Sequence, residues 1–217
     1  MYFYSRAEAG QKLAADLLQY RDQNCAVIAL GNGGIAVGEQ VAISLHATLA
    51  VLLIEDIELP GERLTVGSVS QDGGFVYNSQ FSSGETEEYY SEFRGYIEDQ
   101  KREKFAKINR LLTQGGFVDI HTLKERTIIM VSDGFMTGTS LDAAMQFLKP
   151  IKLKRLIIAT PVASVQAVDR MHILADELHC LSVTDNYINT NHYYDIHEVP
   201  SREEVIKKID HIAENWL

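Results

Sequence analysis

Apolar residues recur along this chain in two rhythms that take turns. Residues 6–20 place Leu13, Leu17 and Leu18 with Ala9 and Ala14 on one stripe, behind Ser5 and Glu8 at capping-box spacing, which predicts a first helix. Residues 25–30, CAVIAL, are a short uncharged run and predict a strand. Residues 35–45 return to helical spacing through Val37, Val41 and Leu45, and residues 50–54 predict the next strand. Strand, helix and strand in immediate succession predict parallel neighbours with right-handed crossovers.

The rhythm then breaks. Residues 64–70 and 75–77 bracket Gln71-Asp72-Gly73-Gly74, a hairpin signal. Residues 86–112 carry Tyr89, Phe93, Tyr96, Ile97, Phe105, Ile108, Leu111 and Leu112 at helical intervals, predicting one long helix bent near Gly95. Its basic residues Lys101, Arg102, Lys104, Lys107 and Arg110 read as a solvated face. The α/β pattern resumes with a strand at 127–131 buried on both faces, a helix at 141–148, a strand at 155–161, a helix at 164–175 and a strand at 178–183. Ser201 and Glu204 form a second capping box, ahead of a stripe of Val205, Ile206, Ile209, Ile212 and Trp216. The expected fold class is α/β, a mostly parallel sheet flanked by helices. It is expected as one domain over 1–217, with the hairpin and long helix inserted at approximately 57–120 as a hood over the carboxyl ends of the core strands.

A chain of 217 residues is long enough to bury a sizeable core. Its formal charge of -10 and pI near 5.1 argue against nucleic acid or a membrane surface as partner, since both need basic faces. Cys25 and Cys180 each sit in an apolar run, with neither a disulfide framework nor zinc spacing. The longest apolar run, 41–54, is interrupted by Ser44, His46 and Thr48 and is too short to span a bilayer. The N-terminus shows no signal-peptide pattern, so a cytoplasmic protein is expected. The seven histidines are scattered without a metal-binding pair, and none lies near Ser132, Thr137 or Ser140 to suggest a triad.

Candidate chemistry concentrates at 132–140, SDGFMTGTS, between a strand and a helix. Gly134 and Gly138 let amides converge, Thr137, Thr139 and Ser140 add hydroxyls, and the helix dipole favours an anion such as phosphate. The acid Asp133 suits ribose hydroxyls or a metal. An ordinary tight turn uses the same residues. A second glycine turn, Gly31-Asn32-Gly33-Gly34-Ile35-Ala36, fits the dinucleotide fingerprint, with Glu55 near the position of a ribose-binding acid. An NAD or FAD protein is thus an alternative, although one dinucleotide site leaves the 133–140 loop unexplained.

The stretch 127–140 resembles the phosphoribosyl-diphosphate (PRPP) motif of type I phosphoribosyltransferases: a hydrophobic strand, two acids, three variable residues, then Thr-Gly-x-Thr or Ser. Asp133 stands for the second acid, and Ser132 replaces the first. The resemblance extends to a little-characterised bacterial group of that family, through Ala9-Gly10 with Leu13-Ala14, the Gly-Gly turn, Gly67-Ser68-Val69 and Pro161-Val162-Ala163. It implies that Asp133 is the catalytic acid on the ribose hydroxyls. It further implies that Gly31, Asn32, Gly33 and Gly34 meet pyrophosphate and that the amides of Thr137, Gly138, Thr139 and Ser140 meet the 5-phosphate, where loops 31–34 and 133–140 come together. Met136 falls where some purine-salvage relatives place an acidic base, which a thioether cannot replace. Tyr187, Tyr193 and Tyr194 fall in the acceptor region, where they could stack on a base.

The implied ligands are PRPP or a nucleoside monophosphate, with Mg²⁺ brought by the substrate; dedicated metal ligands are not identified, and a homodimer is left open. Relatives carry cations at the positions of Asn32, Glu55 and Asp56, so either metal supplies the missing charge or the ligand is less anionic than PRPP. A non-catalytic nucleotide sensor or partner-binding module is the other reading of the same resemblance.

Overall fold

The strand CAVIAL is sequestered on both faces and organises its half of the molecule. The computed structural model describes residues 1–61, 64–113 and 118–201, together with 204 and 207. They fall into two compact units: Met1–Leu52 with Gly116–Met136 and Ile151–Leu217, and Leu53–Gly115 with Thr137–Pro150.

In the first unit, β1 (Cys25–Leu30), β2 (Thr48–Leu52), β6 (Thr127–Val131), β7 (Arg155–Ser164) and β8 (Glu177–Thr184) form one sheet in the order β2-β1-β6-β7-β8, with every pairing parallel. Every residue of β1 and β6 is buried, as uncharged runs in a sheet covered on both faces must be. The helices α1 (Arg6–Asp16), α2 (Gly31–Leu45) and α5 (Val165–Leu174) belong to this unit. Ser5 caps α1 by accepting from the Glu8 amide, and Ala9, Leu13, Ala14 and Leu17 are buried as the stripe predicts. Leu18 is exposed instead, because a 3₁₀ turn at Leu18–Tyr20 rotates it off the stripe. The capping box at Ser201 and Glu204 is present, and the apolar stripe after it lies outside the described residues.

The second unit holds an antiparallel sheet of β3 (Ile54–Glu58), β4 (Thr65–Ser70) and β5 (Phe75–Tyr77), with α3 (Ser83–Leu112) and α4 (Thr139–Leu148). The hairpin matches the pattern. The strand β3 does not, since three acids in IEDIE hide the alternation, and Ile54 joins β3 rather than ending the strand before it. The break in α3 falls at Phe93, with φ -108 and ψ 17, two residues before the glycine expected to hold it.

Candidate functional site

Strand order places a topological switch at the centre of the first unit, because β1 has β2 on one side and β6 on the other. Open α/β sheets gather ligands at the carboxyl ends of such strands. Here those ends carry Gly31 to Gly34 and Ser132 to Met136. The helix α2 starts directly after Leu30, four residues earlier than its apolar spacing suggests, so the glycines form its first turn. Gly31 takes φ +67, a conformation open to glycine at little cost. A Cβ on Gly34 would lie 2.9 Å from the Val131 carbonyl oxygen, and one on Gly33 would lie 2.0 Å from Asp133 Oδ2. Bare backbone is therefore what lets the first turn of α2 close on the end of β6. Asn32 is exposed.

Asp133 is enclosed by groups from three places in the chain. Arg6, at the start of α1, donates from Nε to Asp133 Oδ2 at 2.6 Å, with 4% of the arginine side chain and 15% of the aspartate exposed. The other guanidinium nitrogens donate to Asn191 Oδ1 at 2.6 Å and to the His197 carbonyl at 3.4 Å, and the group lies 4.7 Å from the Tyr194 ring centroid. Tyr194 Oη donates to the Asp133 carbonyl at 2.5 Å. Burial holds the Asp133 carboxyl above the usual carboxylate range, and the charge and hydrogen bond of Arg6 offset only part of that rise. Burial likewise pushes the Tyr187 and Tyr194 hydroxyls well up, so both stay protonated at neutral pH.

The partners are delivered by two segments laced together. The amide of Phe3 donates to the Tyr193 carbonyl, and the amides of Asp195 and Ile196 donate to the carbonyls of Phe3 and Tyr4. Phe3, Ala9, Val162, Tyr193 and Tyr194 form one buried cluster. Tyr193 and Tyr194 are thus interior packing, and neither presents a face to a base. Arg6 was missed by motif reading, yet a signal existed: it sits three and four residues before Ala9 and Gly10, on the buried side of α1.

The turn after β6 is pinned residue by residue. The buried Ser132 hydroxyl donates to the Gly134 carbonyl and accepts from the Gly134 amide, so it serves the turn. Phe135 pairs with β7, its amide donating to Val162 O and its carbonyl accepting from the Ser164 amide. The Met136 carbonyl accepts from Ser164 Oγ at 2.5 Å. The next four residues belong to the second unit. Gly138, at φ 80, caps α4, and Thr139 and Ser140 lie in its first turn, where amides lack intrahelical acceptors. Thr137 Oγ1 and Thr139 Oγ1 are 2.9 Å apart, and Gln80 Nε2 donates to the Thr137 carbonyl at 2.9 Å.

Glu55 lies in β3 rather than at the end of β2, and it pairs with Lys107 at 2.6 Å and Lys104 at 3.6 Å. This removes the ribose acid from the dinucleotide reading. Asp56 accepts from Ser68 Oγ at 2.5 Å. No group of three or more His, Cys, Asp or Glu is gathered as a metal site among the described residues.

The profile of the phosphoribosyl transferase domain matches residues 4–196. The chain belongs to that family. A Mycobacterium tuberculosis relative, named as a candidate phosphoribosyl transferase in two strains, is 28% identical across 96% of this chain. This chain spans only 46% of that relative's length. A Thermus thermophilus crystal structure matches with a TM-score of 0.70 at 25% identity, covering 96% of this chain and 98% of that one. The purine phosphoribosyltransferase of Pyrococcus horikoshii matches with a TM-score of 0.50 at 15% identity over 93% and 95%, a likeness of fold. The parallel sheet and its flanking helices are thus those of a type I phosphoribosyltransferase. At the position of the motif's first acid stands Ser132, which spends its hydroxyl on the turn. No described helix is long and apolar enough to cross a membrane.

Proposed function

We propose that this phosphoribosyltransferase-family chain binds a ribose 5-phosphate ligand, PRPP or a nucleoside monophosphate, and transfers phosphoribose to a nitrogen acceptor. The observation that carries the reading is the partly buried Asp133 carboxylate, set against the glycine turn of α2 at the switch point and followed within the same loop by Thr137, Gly138, Thr139 and Ser140. Asp133 accepts from the ribose hydroxyls. The amides of residues 137 to 140 take the 5-phosphate, with the dipole of α4 behind them. The first-turn amides of α2, at residues 31 to 34, take pyrophosphate.

Under this reading the C1–O bond to pyrophosphate breaks, pyrophosphate leaves with the electron pair, and the acceptor nitrogen bonds to C1 and releases its proton. The protein contributes position and stabilisation of developing charge. Magnesium arrives on the substrate's phosphates and offsets their charge. A protein of the cytoplasm, with no nucleic acid or membrane as partner, completes the proposal. A nucleotide sensor sharing the same pocket chemistry is the second reading, favoured by the single retained acid.

Calorimetric titration tests the assignment. PRPP with Mg²⁺, a nucleoside monophosphate and inorganic phosphate are titrated into wild type, Gly138→Val and Asp133→Asn. Gly138→Val is expected to lose all three ligands, and Asp133→Asn to lose affinity for the two ribose ligands with inorganic phosphate little changed. Wild-type affinity for all three in Gly138→Val would reduce the loop to a plain turn. Turnover of PRPP in the presence of amine and base acceptors separates enzyme from sensor.

A further inference from the structure

The acid proposed to hold ribose does not stand alone. Its strongest partner, Arg6, comes from 127 positions earlier in the chain. A guanidinium usually meets a carboxylate with two parallel bonds. Here only Nε bonds Asp133, at Oδ2, and the two terminal nitrogens are turned to Asn191 and the His197 carbonyl. The fork thereby ties the acid to the segment 191–197, and the Tyr194 hydroxyl fixes the backbone of the same residue. Arg6 is nearly sealed while Asp133 keeps a solvent edge, so the pair presents the aspartate, not the arginine, to whatever approaches. A buried ion pair contributes little net stability compared with an apolar pair of the same size, which makes a purely structural purpose a poor account of its cost.

We propose that Arg6 is the positioning residue of the ribose site: it pairs with the Asp133 carboxylate and holds it in one orientation, so that a single carboxylate can serve where the family motif has two acids. The inference rests on the proposed ribose 5-phosphate reading. The charged and titratable groups that face Asp133 are Arg6 from α1 and Tyr187 and Tyr194 from the segment after β8; the first turn of α2 brings only glycine backbone, and its own loop brings Ser132. Both tyrosines stay protonated at neutral pH, so Arg6 is the cation of this set. Removing it takes away the largest influence opposing burial at this carboxyl, and the protonated acid accepts poorly from a diol.

The experiment uses ribose 5-phosphate, 2-deoxyribose 5-phosphate and inorganic phosphate as calorimetric probes of the full chain, with wild type, Arg6→Gln and Arg6→Lys across a pH series. Wild type is expected to prefer ribose 5-phosphate over its deoxy analogue. Arg6→Gln is expected to lose roughly ten- to hundredfold in affinity for ribose 5-phosphate, the range of one hydrogen bond to a charged group, with inorganic phosphate unchanged. The pH below which ribose 5-phosphate binding fades should move upward in Arg6→Gln. Arg6→Lys, which keeps the charge without the fork, should keep the wild-type pH midpoint and lose several-fold in affinity; it carries the test should Arg6→Gln fail to fold. Wild-type preference and pH midpoint in Arg6→Gln would overturn the inference even if that variant is less stable, because a structural role moves stability alone. Tighter binding in Arg6→Gln would overturn it too, marking Arg6 as a competitor for the acid. Failure of wild type to distinguish ribose 5-phosphate from inorganic phosphate would overturn the ribose reading first, and the role of Arg6 with it.

Discussion

Replacing Gly33 by alanine is the smallest change that probes the contact between α2 and the acid. The added Cβ would stand 2.0 Å from Asp133 Oδ2, 2.5 Å from Cγ and 2.7 Å from Oδ1, all inside the 3.0 Å below which real Cβ atoms are essentially absent. The carboxylate must retreat by about 1 Å, and it cannot do so while bonded at 2.6 Å to a buried guanidinium. Losing that charge-assisted bond costs about 1.5–3 kcal/mol. Forcing the aspartate off its rotamer adds about 0.5–1.5 kcal/mol. Alanine in a helix returns about 0.5–1 kcal/mol relative to glycine. A net destabilisation of about 1–4 kcal/mol follows, and at roughly 2–4 °C per kcal/mol for a chain of this size the melting midpoint should fall by roughly 2–16 °C. Gly38→Ala in the same helix is the control, since its nearest contacts of 3.3, 3.4 and 3.5 Å need only slight adjustment. The decisive assay repeats Gly33→Ala in an Asp133→Ala background. With the carboxylate gone the methyl has room, and the substitution should become neutral or stabilising, giving a coupling of about 1 kcal/mol or more. Equal destabilisation in both backgrounds would refute the steric argument.

Tyr194→Phe removes the donor to the Asp133 carbonyl while keeping the ring stacked on Phe3, and should cost about 1–3 kcal/mol in denaturant titration. Glu55→Gln breaks the pairs with Lys104 and Lys107; because the glutamate keeps 22% exposure, the loss should be about 0.5–1 kcal/mol and should vanish near 1 M salt, where screening acts within about 3 Å. At the other end of the sheet, the Tyr20 hydroxyl bonds Glu177, and together with His179 it holds that carboxyl below its ordinary 4.5. A depressed folded value means the contribution is present above about pH 4.5 and is lost as pH falls through the folded value. The stability gap between wild type and Tyr20→Phe should therefore close in acid, and a gap that is constant with pH would show that Glu177 is not involved.

The fold was legible wherever an element is buried on both faces or strongly periodic. CAVIAL and TIIMV became β1 and β6 with their expected limits, since uncharged runs leave no alternative to burial. Edges and starts were harder to read. Three of the five residues of β3 are acids, and its exposed Glu58 and Asp56 hide the alternation that Ile54 and Ile57 would otherwise show. The helix α2 begins on glycines that spacing treats as loop, because their role is close approach rather than helix propensity. Within the candidate site, Asp133 and the residues that follow it were singled out by local order and by their resemblance to the PRPP motif. Arg6 and Asn191 were not, and Tyr194 was expected to stack on a base rather than to donate to the Asp133 carbonyl, because their relation to Asp133 is made by the sheet and the laced ends of the chain. The same holds for Glu55: its charge looked uncompensated until α3 brought Lys104 and Lys107 to it.

Restoring the missing acid tests whether Ser132 is an isolated loss or part of an arrangement built around one carboxylate. In Ser132→Asp the new side chain would replace a hydroxyl that donates to the Gly134 carbonyl and accepts from the Gly134 amide. A carboxylate keeps the second bond and loses the first, leaving a buried carbonyl facing negative charge. It would also stand beside Asp133, whose Oδ2 already takes the Nε–H of Arg6 while the other nitrogens of that guanidinium serve Asn191 and His197. With no second cation in the set facing Asp133, the new charge is buried unpaired, at 6% exposure for the native residue. Such a group costs on the order of 1–3 kcal/mol or takes up a proton. Ser132→Asp should thus melt below wild type at neutral pH, recover towards wild type as pH falls and the acid is protonated, and bind ribose 5-phosphate no better. A variant as stable as wild type at pH 7 with tighter ribose 5-phosphate binding would show instead that the second acid still fits, and that the Arg6–Asp133 pair did not take its place.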